Sequence, residues 1–166
     1  MVINFFYAFF FAFLATVAFG VLFQAPKKTL IAGGIIGAVG WVVFVYLGKV
    51  AGYSSFYANF FATVVIALGS ELCARIFKQP VTVYVIPGII PLVPGLGMYR
   101  GMNMIIENSY EMGMNTLIIA AMDASAIALG MMFMASFFRV LKIRKERNML
   151  LAAVRKKDVR EIDEFR

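Results

Sequence analysis

The residue best placed to do chemistry in this sequence is a carboxylate inside an apolar run. Asp123 lies near the centre of residues 112–138. An ionisable side chain within a bilayer is costly and points to a functional site by default. Because the sequence contains no histidine, a carboxylate is the obvious carrier for a proton. Two interpretations stay open: Asp123 moves protons, or it is hydrogen-bonded to a neighbouring helix and holds the two helices together.

Two helical faces of small and polar residues accompany this carboxylate. The face that holds Asp123 is small and polar enough to border a cavity or another helix, and Asn115 lies at its edge. It consists of Thr116, Ala120, Asp123, Ala126 and Gly130. A second strip, in the run 55–73, predicts a polar path and consists of Asn59, Thr63 and Ser70.

The segment 84–97 is unsuited to an ordinary membrane helix. Its prolines are Pro87, Pro91 and Pro94, and its glycines include Gly88 and Gly95. Each proline lacks an N–H and clashes with the preceding turn. In hydrocarbon, irregular backbone is tolerated only against protein or a water-filled cavity. The pattern predicts a broken or re-entrant helix over 81–96, of the kind that places helix ends at a transporter's substrate site. The alternative is a kinked packing helix that binds no ligand.

Polar residues recur at helical spacing directly after the proline segment and predict one polar face. They are Arg100, Asn103, Glu107 and Glu111. One interpretation is the solvated side of an interfacial helix. The other is the lining of an outward vestibule, where Arg100 would meet a substrate carboxylate.

These residues lie among five apolar segments that predict an all-α integral membrane protein. Of the 166 residues, 62% are hydrophobic, which is more than one small soluble core can bury. We expect a transmembrane domain over residues 1–138 and a short basic cytoplasmic tail over residues 139–166. The predicted membrane-inserted segments are 2–23, 30–47, 55–73, the broken 81–96 and 112–138. Gly33 and Gly37 in the second segment form a G-x-x-x-G pair, which is a candidate contact for a homo-oligomer.

The lysines and arginines predict how the chain crosses the membrane. If the N-terminus lies outside, fourteen of the 16 basic residues fall on the cytoplasmic side. Only Lys49 and Arg100 then lie outside. This distribution favours an odd number of crossings in the inner or plasma membrane. If 81–96 is instead a re-entrant hairpin, Arg100 moves inside and the count becomes even.

Composition also argues against several functions. The positive charges sit at the ends of apolar runs and in the tail, which argues against nucleic acid as a partner. The tail is interpreted as a topogenic anchor, or as a segment that binds anionic lipid. One cysteine and no histidine leave no set of metal ligands, and no phosphate-binding glycine loop is present. We therefore expect no enzyme activity, no cofactor and no metal.

Residues 75–102 closely resemble the signature of the threonine/serine exporter family, in its short five-segment subunit form. The most specific part is Pro-Gly-Ile-Ile-Pro-Leu-Val-Pro-Gly at 87–95, and Ile-Ala-Leu-Gly at 127–130 also fits the pattern. The resemblance covers most of the chain in length, apolar layout and basic end. The positions that match are Pro87, Gly88, Pro91, Pro94, Gly95 and Tyr99.

This resemblance implies the export of small metabolites, driven by an ion gradient. Threonine and serine are the substrates that the family name gives, and a small dicarboxylate such as succinate is the other candidate. The short form is expected to work with a longer partner subunit of the same family. The alternative function is a structural or assembly subunit without its own substrate site.

Overall fold

A computed structural model describes the backbone of residues 2–164 and the side chains of residues 5–141, 143 and 147. Over these residues the protein is helical, which confirms the predicted all-α fold. The helices are α1 Val2–Leu22, α2 Lys27–Val45, α3 Ser55–Phe77, α4 Thr82–Ile89, α5 Gly95–Ile106 and α6 Tyr110–Glu164. A π-helical turn, Tyr46–Val50, follows α2, and a 3-10 turn, Ile90–Leu92, follows α4.

Four of the described helices are long and apolar enough to cross a membrane, namely α1, α2, α3 and the 110–141 part of α6. The bent pair α4–α5 makes a fifth candidate if it is counted as one span. A span needs roughly 20 apolar residues. The chain is therefore a multi-pass membrane protein.

The first two helices form an antiparallel hairpin. The ring of Phe5, near the start of α1, lies 6.4 Å from the ring of Tyr46, just after α2 ends. At the other end of the hairpin, Gly20 lies against Leu30. Pro26 caps α2, so Lys27 and Lys28 lie in its first turn. The helix thus begins three residues before the apolar run at residue 30.

The third helix packs antiparallel to α2 in the same way. Ile66 lies against Gly40, and Gly69 lies against Ile36 one helical turn earlier in α2. α3 ends beyond the apolar run, at Phe77, where Lys78 adopts the left-handed conformation with φ 53°. α1 and α3 therefore run in the same direction.

The glycine-rich face of α2 is occupied within the chain. A Cβ at Gly34 would lie 2.7 Å from the Phe13 ring of α1, and Gly37 faces Thr16 of the same helix. Gly33 lies against the ring of Tyr84 from α4. α1 and α4 therefore cover these glycines within the chain, and a contact of α2 with a second copy stays a prediction.

The proline segment breaks the helix near its last proline, not at its first. Pro87 lies inside α4, Pro91 lies in the 3-10 turn, and Pro94 caps α5. The two helices are bent by 42° at this point. Since α5 follows directly, the amphipathic stretch after the prolines is the second half of the bent pair.

The last helix runs parallel to α3. Ser55, the first residue of α3, contacts Asp123 of α6. Two turns later in α6, a Cβ at Gly130 would lie 2.9 Å from the carbonyl oxygen of Phe60. The contacts advance in the same direction along both helices. The chain therefore returns from the C-terminal end of α3 to its N-terminal end over α4 and α5.

The part of α6 beyond Met132 forms a separate compact unit, residues 133–166. It continues as helix through Glu164. The predicted basic tail, 139–166, begins within it. Apart from residues 139–141, 143 and 147, the tail side chains that carry the basic character lie outside the described residues.

Candidate functional site

Asp123 is held by the first turns of α3. It is 9% exposed, and its Oδ2 accepts a hydrogen bond of 2.8 Å from the hydroxyl of Ser55. The Ser55 oxygen in turn accepts a 3.3 Å hydrogen bond from the side-chain amide of Asn59. Two predicted site residues, Asp123 and Asn59, are thus brought together by a third that sequence reasoning did not single out. We call Asp123, Ser55, Asn59 and Thr63 the carboxylate cluster.

The predicted polar strip on α3 is buried and incompletely satisfied. Asn59 is 2% exposed, and Thr63 and Ser70 are fully buried. The side-chain oxygens of all three lack a hydrogen-bond partner among the described residues. An unsatisfied buried polar group costs about 1–3 kcal/mol. Such groups indicate that water, a ligand or another chain completes the site.

The facing side of α6 is made of small residues, as the spacing predicts. Ala120 is 2% exposed and Ala126 is fully buried, and Gly130 lies against Phe60 and Thr63 of α3. These short side chains let α6 approach the polar strip closely. Asn115, predicted at the edge of this face, is exposed and does not join the cluster.

The cluster is negatively charged and has no counter-charge. Among the described residues, Asp123 has no ion pair. A salt bridge of 3.0 Å joins Arg75 to Glu71, but it lies on the surface of α3. Carboxylate oxygens only accept hydrogen bonds. The arrangement can therefore receive hydrogen-bond donors and cations, and it repels anions.

The first residues of the proline motif pack against α3. Pro87 and Gly88 are buried, and a Cβ at Gly88 would lie 3.0 Å from Ile66. Tyr84, one turn earlier, is fully buried. Its hydroxyl lacks a partner among the described side chains and backbone. Pro91 and Pro94 are partly buried at the bend itself.

The later motif residues lie apart from the carboxylate cluster. Gly95 has no neighbour within 4 Å of a built Cβ, Tyr99 is 68% exposed, and Arg100 is exposed. The prediction that one polar helix face extends from Arg100 to Glu111 is wrong. α5 ends at Ile106, and Asn108 takes a left-handed conformation with φ 62°, so that Glu111 belongs to α6.

A close crossing of α5 and α6, which sequence reasoning missed, packs the part of α6 that precedes Asp123. A Cβ at Gly101 would lie 2.8 Å from Leu117, and one at Gly113 would lie 2.7 Å from the Gly101 carbonyl oxygen. Gly97 lies against Ala120, one turn before Asp123. The spacing of Gly97 and Gly101 is itself a G-x-x-x-G pattern that could have revealed this contact.

A cavity of about 270 Å³ lies where the α1–α2 turn meets α4. Gln24 and Thr82 supply its polar side chains, and Pro87 is part of its wall. The remaining lining residues are Phe23, Ala25, Pro26, Val83 and Ile86. This cavity opens near the lysines that begin α2, at the opposite end of α3 from Ser55.

Within the described part of the chain, no group of three or more Asp, Glu, Cys or His side chains is arranged to hold a metal ion. The cluster offers one carboxylate among neutral oxygens. Its chemistry is that of a hydrogen-bonding site.

Comparison with known proteins places the chain in a family. The family model "Threonine/Serine exporter, ThrE" matches residues 8–137. A threonine/serine exporter of Corynebacterium glutamicum is 32% identical over 117 residues, which cover 68% of this chain and 23% of that protein. An uncharacterized protein of Haemophilus influenzae is 33% identical over 98 residues, 58% of this chain and 32% of that protein.

No solved structure matches the chain significantly. The chain spans about a quarter to a third of the length of these two curated relatives. The family model, in contrast, covers most of the chain, including the proline motif and Asp123. The protein belongs to the threonine/serine exporter family.

Proposed function

We propose that this chain is a subunit of a secondary transporter that exports small metabolites, driven by an ion gradient. The substrate is threonine, serine or a small dicarboxylate such as succinate. The observation that carries this proposal is the carboxylate cluster. Among the described residues, Asp123 lies without a counter-charge in a membrane-spanning helix, beside a strip of buried oxygens that lack partners. A purely structural helix interface gains nothing from leaving such groups unsatisfied.

The bent pair α4–α5 is proposed as a full crossing. The parallel arrangement of α3 and α6 supports this, because the chain must return to the N-terminal end of α3 before α6 begins. Five crossings put Lys27, Lys28, Arg75 and Lys78 on one side, with the tail. By the distribution of basic residues that side is the cytoplasm, so the N-terminus lies outside the inner or plasma membrane.

A longer partner subunit is proposed to complete the transporter. The limited coverage of the two relatives supports it, since most of each relative's length has no counterpart in this chain. The unsatisfied oxygens of Asn59, Thr63 and Ser70 are consistent with a site that this chain forms only in part.

Asp123 is proposed as the residue that links transport to the ion gradient. An Asp123→Asn chain keeps the hydrogen bond from Ser55 but loses the charge, so we expect export to fall to background while the protein still folds. Glu107→Gln is the matched control, because Glu107 is an exposed carboxylate whose partner is the neighbouring Asn103. Wild-type export by a folded Asp123→Asn protein removes Asp123 from the mechanism.

The proposed function is tested by export of preloaded labelled threonine, serine and succinate from cells. Three kinds of cell are compared, which express this chain alone, a candidate longer subunit alone, or both together. Export that requires both chains is the expected result, and the preferred label identifies the substrate class. If both chains are folded in the membrane and no label leaves above background, the chain is a structural or assembly subunit instead.

A further inference from the structure

The cavity between the α1–α2 turn and α4 has a polar end and an apolar end. Helix α1 runs towards this turn and α4 runs away from it, so the side chains of Gln24 and Thr82 lie at the same end of the cavity. Ile86 and Pro87 belong to its wall one turn further along α4, which is about 6 Å deeper. The polarity of the cavity therefore changes along the helix axes, as the polarity of a bilayer leaflet does.

Water is a poor filling for this cavity. A buried water molecule makes about three hydrogen bonds to polar groups, but only two of the lining side chains, Gln24 and Thr82, are polar. Two of the apolar lining residues, Pro26 and Pro87, also lack a backbone N–H. Walls of this kind favour hydrocarbon over water.

Lysines surround the polar end of the cavity. Lys27 and Lys28 directly follow the last cavity residue of the α1–α2 turn, and Lys78 lies four residues before Thr82. All three lysines are exposed, and among the described residues none of them pairs with a carboxylate. The acidic side chain described at this end of α3, Glu71, is already held in an ion pair. The mouth of the cavity is therefore positively charged.

We propose that this cavity binds one anionic phospholipid, with the phosphate at the three lysines and the first part of an acyl chain against Ile86 and Pro87. Lysine side chains lay their stems along apolar surface and keep their ammonium groups in the polar layer. Basic pockets between membrane helices bind anionic headgroups in this way. The inference goes beyond the proposed export function and does not depend on it.

The position of the cavity suits a lipid better than a soluble anion. Phe23 and Ile86 of its wall are 53% and 45% exposed, so a chain can enter sideways from the surrounding hydrocarbon. A soluble anion would reach the lysines but leave the apolar wall unfilled. A zwitterionic lipid would fill the wall but bring a positive headgroup towards the lysines, which costs electrostatic free energy.

A bound lipid would join the α1–α2 turn to the first half of the bent pair. The cavity walls come from both elements, and Pro87 is also the first proline of the motif. A ligand that binds only the folded protein stabilises it by mass action. The lipid is therefore expected to raise the temperature of thermal unfolding as well as to bind.

The test uses the purified full-length chain in detergent. Native mass spectrometry and thermal unfolding are recorded with phosphatidylglycerol, phosphatidylcholine and glycerol 3-phosphate. We expect one phosphatidylglycerol to be retained and to raise the unfolding temperature by about 3 °C. Phosphatidylcholine should bind about tenfold more weakly, and glycerol 3-phosphate should neither bind nor compete. Phosphatidylglycerol with a photoreactive group in its acyl chain should label the peptide that contains Ile86.

Variants separate the two ends of the site. Replacement of both Lys27→Gln and Lys28→Gln should weaken phosphatidylglycerol binding roughly twentyfold, since each lysine contributes about a factor of five. Lys49→Gln is the matched control, because it removes an exposed lysine beyond the other end of α2. Ala25→Phe fills the cavity without changing any charge and should also weaken binding and abolish the label at Ile86. Helicity and gel filtration establish that each variant is folded.

Several results overturn the inference. Equal binding of phosphatidylcholine would show that the lysines do not select the headgroup. Competition by glycerol 3-phosphate would indicate a site for a soluble anion. A photoreactive label confined to peptides beyond Arg139 would place the lipid on the basic tail. Equal weakening by Lys49→Gln and by the double lysine variant would reduce the effect to overall charge, and wild-type binding by a folded Ala25→Phe protein would place the acyl chain outside the cavity.

Discussion

Two helix interfaces in this protein use small residues for opposite purposes. At the glycine face of α2, Gly34 and Gly37 bring α1 close, against apolar groups and the side chain of Thr16, whose hydroxyl lacks a partner among the described residues. At the face between α3 and α6, Gly130 brings the helices equally close, but beside the carboxylate of Asp123 and its hydrogen bonds through Ser55 to Asn59. The first arrangement suits a fixed scaffold, and the second suits a site that must accept something.

The comparison teaches that burial alone does not identify a site in a membrane protein. Asn59 and Ile66 are both buried on α3, at 2% and 0% exposure. They differ in whether their atoms are satisfied, since Ile66 fills the space beside Gly40 while Asn59 keeps a free oxygen. Substitutions at the glycine face of α2 should therefore lower the free energy of unfolding. Removal of an unpartnered oxygen between α3 and α6 should raise the free energy of unfolding and reduce export.

The largest effect is expected at the scaffold face. Gly37→Leu places a large side chain where Thr16 of α1 and Gly88 of α4 already meet the backbone. Overpacking of this kind should lower the free energy of unfolding by about 3 kcal/mol. Thermal unfolding in detergent measures it. Gly48→Leu is the control, because nothing lies within 4 Å of a Cβ at Gly48. Equal stability of the two variants would mean that this interface is loose.

A smaller loss of stability is expected where α5 crosses α6. Gly113→Leu pushes against the carbonyl of Gly101 and should lower the free energy of unfolding by about 2 kcal/mol. Because the crossing packs the part of α6 that precedes Asp123, export should fall as well. Thermal unfolding and the export assay measure the two effects separately. Unchanged export with reduced stability would show that the contact with α3 is sufficient to position the carboxylate.

The opposite sign is expected at the site. Thr63→Val removes a buried hydroxyl that has no partner and should raise the free energy of unfolding by about 1 kcal/mol. The same change should reduce export, since an acceptor is lost. Thermal unfolding alongside the export assay provides the check. A destabilised Thr63→Val protein would show that the hydroxyl is satisfied in the membrane and belongs to the scaffold.

The smallest effect on stability is expected at a surface ion pair that lies away from both helix interfaces. Glu71 and Arg75 form an i, i+4 ion pair of 3.0 Å, in which the Arg75 side chain is 53% exposed. Surface pairs of this kind contribute little. Glu71→Gln should therefore lower the free energy of unfolding by only about 0.3 kcal/mol and leave export unchanged. A clear loss of export would extend the functional site to this end of α3.

Much of this architecture was predictable because its causes are local in the sequence. Apolar run length predicts the spans, and the prolines predict a broken helix, whose bend lies at Val93 and Pro94. Helical spacing alone placed Asn59, Thr63 and Ser70 on one strip. The all-α fold and the exporter family are confirmed. The family resemblance rested on the same proline motif, which supplies the bend and no part of the carboxylate cluster.

What was missed depends on contacts between distant residues. Ser55 is 68 positions from Asp123, and nothing in its own surroundings distinguishes it from a residue that merely opens a helix. The end of α5 was missed because the left-handed turn at Asn108 interrupts a polar periodicity that continues through it. The internal role of Gly33 and Gly37 likewise depends on which helices lie beside α2, and spacing along one helix does not contain that information.

The bend after α4 has a consequence for how the protein reaches its final topology. α4 has eight residues and spans about 12 Å, less than half of a hydrocarbon layer of about 30 Å. During synthesis, the insertion machinery therefore meets no complete span after α3 until α5 has also emerged. If the bent pair is one span, as proposed, its two halves enter as a single insertion unit. A stop codon after Val93 would then leave α1, α2 and α3 in place and α4 part of the way across.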